Sequence, residues 1–266
     1  MVKFYETSYS YDYSFPAVAL AYFLRYPNPY STHVLSSDVI DRSIDPKTGR
    51  LSTTRIHLKR SRLPPAVLKL LPSSVKGNVA GGQSSSYILE TSTVDIKEGW
   101  MQTESRNLDW TGILSVVERQ EYRRDPGVAP FAEEGPTALT GVTTSITFRS
   151  RLGDRIGEKM RERRDARRAA RGEADAKEME LEEPSIEQEH KKGFLASWST
   201  AGIQRSIEAI ASKRTIQSQG NTQRGMRVVL ERLRNGGLVG VLDGMRQDRE
   251  TLMAGAGAPA NVDNKD

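Results

Sequence analysis

A helix that reaches Arg25 cannot go further. In Arg25-Tyr26-Pro27-Asn28-Pro29-Tyr30-Ser31-Thr32-His33, Pro27 and Pro29 each remove a backbone donor and fix a φ angle. The chain must turn there, and the next pattern is that of strands. Thr53 to Pro64 reads as a strand whose period-two pleat puts Arg55, His57 and Lys59 on one face, with Ile56 and Leu58 opposite. Such a strand has two readings. It is a solvated edge with its cations in water, or it forms one wall of a cleft. In the cleft, Arg25, Arg55, Lys59 and Arg62 of the Arg62-Leu63-Pro64 continuation converge on a phosphate.

The surrounding pattern predicts an α+β domain. Residues 3–13 alternate aromatic and polar side chains, as a strand does. Ser14 suits an N-cap, Pro16 is tolerated in the first helical turn, and Phe15, Val18, Ala19, Tyr22 and Phe23 form one apolar helical face. Residues 33–44 and 51–60 form a predicted hairpin around Asp45-Pro46-Lys47-Thr48-Gly49. Further strands are predicted at 86–96, 100–108, 113–122 and 137–148, in an antiparallel meander because the connections are short. Helical spacing returns with Ile203, Ile207 and Ile210, then Met226, Val229, Leu230 and Leu233. That stretch either breaks near Gly220-Asn221 or forms one long helix whose small residues permit close approach to the sheet or a ligand.

Between these regions the character changes. Only 36% of the 266 residues are hydrophobic and 27% are charged, which fits a core diluted by a solvated segment. Residues 161–171 are crowded with Arg and 178–189 with Glu, without an apolar stripe. Segment 150–192 therefore reads as a charged insertion, disordered or an exposed helix. The tail 254–266 is expected to be disordered, and the folded domain to span 1–240. An RNA-associated or scaffold role for the 150–190 insertion is a second function class, but no aromatic is interleaved for base stacking, so nucleic acid is not the expected partner. The net charge of +5 suits an anionic partner.

Several chemistries are disfavoured. The chain has no Cys, hence no disulfide or thiolate metal site, and only three His, hence no expected zinc centre. Asp38, Asp41 and Asp45 lack the spacing of a calcium loop. Gly81-Gly82-Gln83 is followed by no Lys-Ser/Thr pair or helix, and no nucleophile elbow or zinc-protease motif occurs. The expectation is a binding protein, not an enzyme, with no catalytic residue, cofactor or metal. No run of about twenty apolar residues is present to cross a membrane as a helix. The N-terminal Met-Val-Lys-Phe-Tyr-Glu lacks the look of a secretory or matrix leader and, by itself, reads as cytosolic. Val67, Leu68, Leu70 and Leu71, bracketed by prolines and followed by Gly/Ser-rich residues, read as a plug at the end of the sheet or as a hinged lid.

The stretch from Arg25 to Pro64 resembles the PRELI/slowmo family, and so do Thr103-Glu104-Ser105-Arg106-Asn107-Leu108-Asp109-Trp110-Thr111-Gly112-Ile113 and the helix around Ile207 to Leu233. The resemblance implies a START-like helix-grip fold, a curved antiparallel sheet around a long C-terminal helix that encloses an apolar cavity. It implies phospholipid transfer in the mitochondrial intermembrane space, between the outer and inner membranes. Headgroup contacts would come from Arg25, His33, Arg55, Lys59, Arg62 and Arg214, with residues 67–71 as the lid. Phosphatidic acid is the first choice of cargo and phosphatidylserine the alternative. The family also implies a small twin-CX9C helical partner protein and transient contact with a membrane surface.

Overall fold

A computed structural model describes residues 2–62, 83–109, 111, 114–125, 127, 139–150 and 200–257. The predicted lid at 67–71 and the insertion from 151 to 192 lie outside the described residues. Strand β1 (Val2–Tyr11) leads into helix α1 (Phe15–Phe23). Six strands follow: β2 (Val34–Ile44), β3 (Leu51–Arg62), β4 (Gln83–Asp95), β5 (Trp100–Asn107), β6 (Leu114–Arg124) and β7 (Thr140–Ser150). Helix α2 (Thr200–Gly257) ends the described chain.

The strands make one antiparallel sheet in the order β1-β7-β6-β5-β4-β3-β2. The meander predicted for successive strands holds from β2 to β7. β1 is the exception, because it pairs with β7 at the far edge and α1 returns the chain to the β2 side. Ser14 caps α1, its Oγ accepting from the Ala17 amide, and Phe15, Val18, Ala19, Ala21 and Tyr22 are buried.

Register sorts the inner face of the sheet into rows. One row holds Leu51, Val94, Met101, Tyr122, Val142 and Tyr9. Members of this row, with Phe15, Val18 and Tyr22 of α1 and Met226, Val229 and Leu230 of α2, form the core. The next row is Thr53, Ser92, Thr103, Gln120, Thr144 and Thr7, hydroxyls and one amide. The third begins Arg55, Glu90, Ser105, Glu118. That row continues to Ile146 and Tyr5, so its charged members are confined to β3, β4 and β6.

Helix α2 does not break at Gly220. It bends at Gly237, whose φ of 58° and ψ of −154° lie outside the helical region and suit a residue without Cβ. The bend turns the second limb back on the first: Arg232 pairs with Asp248 at 2.6 Å, and a Cβ on Gly244 would meet the Arg232 side chain at 2.5 Å. Val241 of that limb is fully buried in the core, so the folded unit extends beyond residue 240. Helix also continues through 254–257, where the sequence suggested the start of a disordered tail.

Candidate functional site

The C-terminal carbonyls of a helix need partners from outside it. At the end of α1 the partner is Arg55 of β3, whose Nη1 donates to the Phe23 carbonyl at 3.1 Å and whose Nη2 reaches the Tyr22 carbonyl at 3.5 Å. Its Nε donates to Glu90 Oε1 at 2.8 Å and its Nη2 to the same carboxylate. Arg55 and Glu90 face each other directly across the β3–β4 boundary. Arg25 enters from the turn after α1 and gives Nη2 to Glu90 Oε2, with its guanidinium 3.7 Å from the Tyr22 ring centre. His57 Nε2 lies 3.3 Å from Glu90 Oε2 without the alignment of a hydrogen bond, and the Ser105 hydroxyl sits 3.4 Å from the same oxygen.

All four charged or titratable members are buried: Arg25 7%, Arg55 3%, His57 1% and Glu90 1% exposed. Arg55 and His57 are thus buried, and the solvated-edge reading of the strand does not describe them; what they face is Glu90. Burial alone would raise the Glu90 carboxyl, but Arg25, with His57 and Arg55, holds it well below the usual carboxylate range. Burial pulls the His57 imidazole below its ordinary value; Arg25 and Lys59 add to this, while Glu90 opposes it. With His57 neutral, two guanidiniums surround Glu90, and Glu118 follows two strands on in the same row, where burial raises its carboxyl against the pull of Lys59 and Arg25. The hydrogen-bonding count is uneven. Arg25 Nε and Nη1 are buried with no hydrogen-bond partner among the described residues, as are both His57 ring nitrogens and the Tyr11 and Tyr22 hydroxyls. Buried donors without partners are costly, so this is the place where an anionic ligand has most to offer.

The turn that presents Arg25 is held firmly. Its Tyr26-Pro27 peptide is cis. Asn28 Nδ2 donates to the Arg25 carbonyl, and Asn28 Oδ1 accepts from the Tyr30 amide at 2.9 Å. Helix α2 crosses this turn at Gly225, where a Cβ would stand 2.7 Å from Asn28 Oδ1. Here a small residue permits close approach, to the turn after α1, where one reading of the helix expected the sheet or a ligand.

The other sequence-predicted residues are spread out. Lys59 shares the inner face of β3 and is half-buried. His33 is exposed at the entrance to β2, its carbonyl accepting from the Arg60 amide at 2.7 Å. Arg62 is opposite Gln83 at the end of β3, and Arg214 lies in the first limb of α2. Glu90, the centre of the cluster, is absent from the predicted set. The signal for it was its phase in β4, shared with Ile88 and the buried Val94. A separate cleft of about 490 Å³ lies outside the cluster, between Tyr26, Leu35 and Arg60 and the second limb's Arg249, Leu252 and Met253.

Residues 16–151 match the model of the PRELI-like family. Protein UPS1, mitochondrial, of Saccharomyces cerevisiae is 39% identical over 125 residues, covering 47% of this chain and 66% of that protein. The ups1 homolog of Schizosaccharomyces pombe is 41% identical over 109 residues, covering 41% and 57%. Human PRELI domain-containing protein 1, mitochondrial, is 34% identical over 122 residues, covering 46% and 52%. The chain thus spans between half and two thirds of the length of these relatives. A crystal structure of Ara h 8.0201 covers 62% of this chain and 92% of its own at 12% identity, and its TM-score of 0.33 is too low to bear on the fold.

Proposed function

The chain belongs to the PRELI-like family, and from that premise we propose that it is a phospholipid carrier that binds one phosphatidic acid and shuttles it between the outer and inner mitochondrial membranes. The observation that carries the reading is Arg25, buried yet bound to Glu90 through one nitrogen only, with Nε and Nη1 still to be satisfied. Each of these N–H groups can give a phosphate oxygen one charge-assisted hydrogen bond, roughly twice as strong as a neutral one. A phosphomonoester carries about −1.5 to −2 charge near neutral pH, judged from phosphoserine, and suits a guanidinium with donors to spare. Lys59, farther along the same strand face, is placed to add to that field. The acyl chains would take the space between sheet and α2, burial contributing about 0.8 kcal/mol per CH₂, so that leaving the bilayer is nearly neutral in free energy. This is carriage, not catalysis. The intermembrane space as its location, a small twin-CX9C helical partner and brief contact with membrane surfaces belong to the same reading.

The test combines native mass spectrometry with transfer between liposomes. Protein purified from cells should hold one diacyl phospholipid, and its mass names the headgroup. Arg25→Gln should transfer phosphatidic acid at least about tenfold more slowly, since a charged hydrogen bond contributes about 1.5–3 kcal/mol, while keeping its far-ultraviolet circular dichroism. A wild-type protein that neither retains nor transfers any phospholipid would end the carrier reading.

A further inference from the structure

The buried carboxylate does not belong among the groups that bind a phosphate, yet it is at the centre of them. Glu90 lies in the inner row between Arg55 and Ser105 and is 1% exposed. It accepts from both arginines, on opposite oxygens. The two arginines differ in what remains to them. Arg55 spends Nε and Nη2 on Glu90 and both terminal nitrogens on the carbonyls that end α1, so it has little to give a ligand. Arg25 spends Nη2 on Glu90 and keeps Nε and Nη1. A phosphate that reaches this end of the interior therefore meets the Nε–H and Nη1–H groups of one guanidinium, each able to give a single bond, and beyond them a carboxylate already held by the third nitrogen.

We infer that Glu90 is a specificity-determining residue of the phosphate site, a built-in counter-anion that weakens the grip on the headgroup enough for the lipid to be released. Without it, two buried guanidiniums would close on the phosphate together. With it, the lipid-free protein has a neutralising partner for Arg25, and the bound phosphate faces a repulsive charge one guanidinium away. A static lipid-binding protein has no need of that repulsion, whereas a carrier must let go at the second membrane. The inference rests on the phosphate-headgroup reading above and assigns Arg55 to positioning, since it orients Glu90 and fixes α1 without an edge to spare.

Glu90→Gln removes the charge and keeps the size. Its effect is read in three ways: retention of fluorescent phosphatidic acid after dilution, transfer between liposomes, and the rise in melting temperature on adding phosphatidic acid vesicles. The expected result is a split. Glu90→Gln releases lipid at least about tenfold more slowly and transfers it more slowly than wild type, and it gains more in melting temperature from the lipid, because ligand that binds only the folded state stabilises in proportion to affinity. Glu90→Asp, which keeps the charge, should stay near wild type in retention. Weaker or unchanged retention by a folded Glu90→Gln would overturn the proposal. So would a Glu90→Gln protein that stays unfolded even with phosphatidic acid while Glu90→Asp folds, for Glu90 would then be structural only. Inorganic phosphate run in parallel separates the two readings. If it stabilises Glu90→Gln more than wild type while phosphatidic acid vesicles affect neither, the counter-anion role stands and the lipid reading fails.

Discussion

Two cross-strand Arg–Glu pairs on this sheet have the same chemistry and opposite circumstances. Arg55 faces Glu90 across β3 and β4; Arg119 faces Glu104 across β6 and β5. Both pairs are within hydrogen-bonding reach, Arg55 Nε at 2.8 Å and Arg119 Nε at 2.9 Å from a carboxylate oxygen. The side chains of the first pair are 4% and 1% exposed, those of the second 60% and 36%. On the outer face, water screens the attraction and the pair contributes little. On the inner face, removing one partner leaves the other buried with a charge that is no longer fully compensated, which is costly. The same sequence alternation supplies both pairs. What separates them is the phase of the strand relative to α1 and α2.

The sharpest break in that comparison is a pair of identical reversals. Arg55→Glu would place two carboxylates together in the interior and free the carbonyls at the end of α1. It should cost at least about 3–5 kcal/mol, enough to unfold much of the protein, as read by urea titration. A cooperative wild-type-like transition for Arg55→Glu would mean the inner pair is not what the geometry implies. A smaller effect comes from Gly225→Ala. The new Cβ would press on Asn28, which holds the Arg25 turn, and overpacking of this kind costs about 1–3 kcal/mol, set against about 1 kcal/mol gained in helix propensity. A net loss of stability with lowered lipid retention is expected; a net gain would show that α2 is not seated tightly on the turn. Arg119→Glu should do least, about 1 kcal/mol or less, since like charges opposite each other on an exposed face repel weakly. A loss rivalling that of Arg55→Glu would erase the distinction between the faces.

These contrasts also mark what was legible in the sequence. The period-two pattern of β3 placed Arg55, His57 and Lys59 together, and Pro27 and Pro29 located the turn that delivers Arg25. Glu90 was legible only through its phase with Ile88 and Val94, because a glutamate among Ser84, Ser85, Ser86, Thr91 and Thr93 looks solvated until register sets it opposite Arg55. The bend in α2 was missed for a related reason. Gly220 and Gly237 read alike in a helical pattern, and only the Arg232–Asp248 pair and the buried Val241 of the returning limb make the later glycine the corner. The partner of β1 was invisible as well, since an alternating aromatic strand says which face is buried but not which neighbour it joins.

That last pairing has a consequence in time. Among the described residues the ten of β1 pair with β7 alone, with Val2 opposite Arg149 and Tyr11 opposite Thr140. In a chain made from its N-terminus at about 5–20 residues per second, the first strand waits on the order of ten seconds before its partner exists. During that wait it is a run of alternating tyrosines with open backbone groups, the kind of segment that pairs with the wrong neighbour. Joining strands so far apart in the chain also slows folding, because the closing loop must be ordered before any contact rewards it. A segment made well before its partner is therefore among the last to be secured, and its exposure while unpaired makes early capture by a chaperone an advantage for this topology.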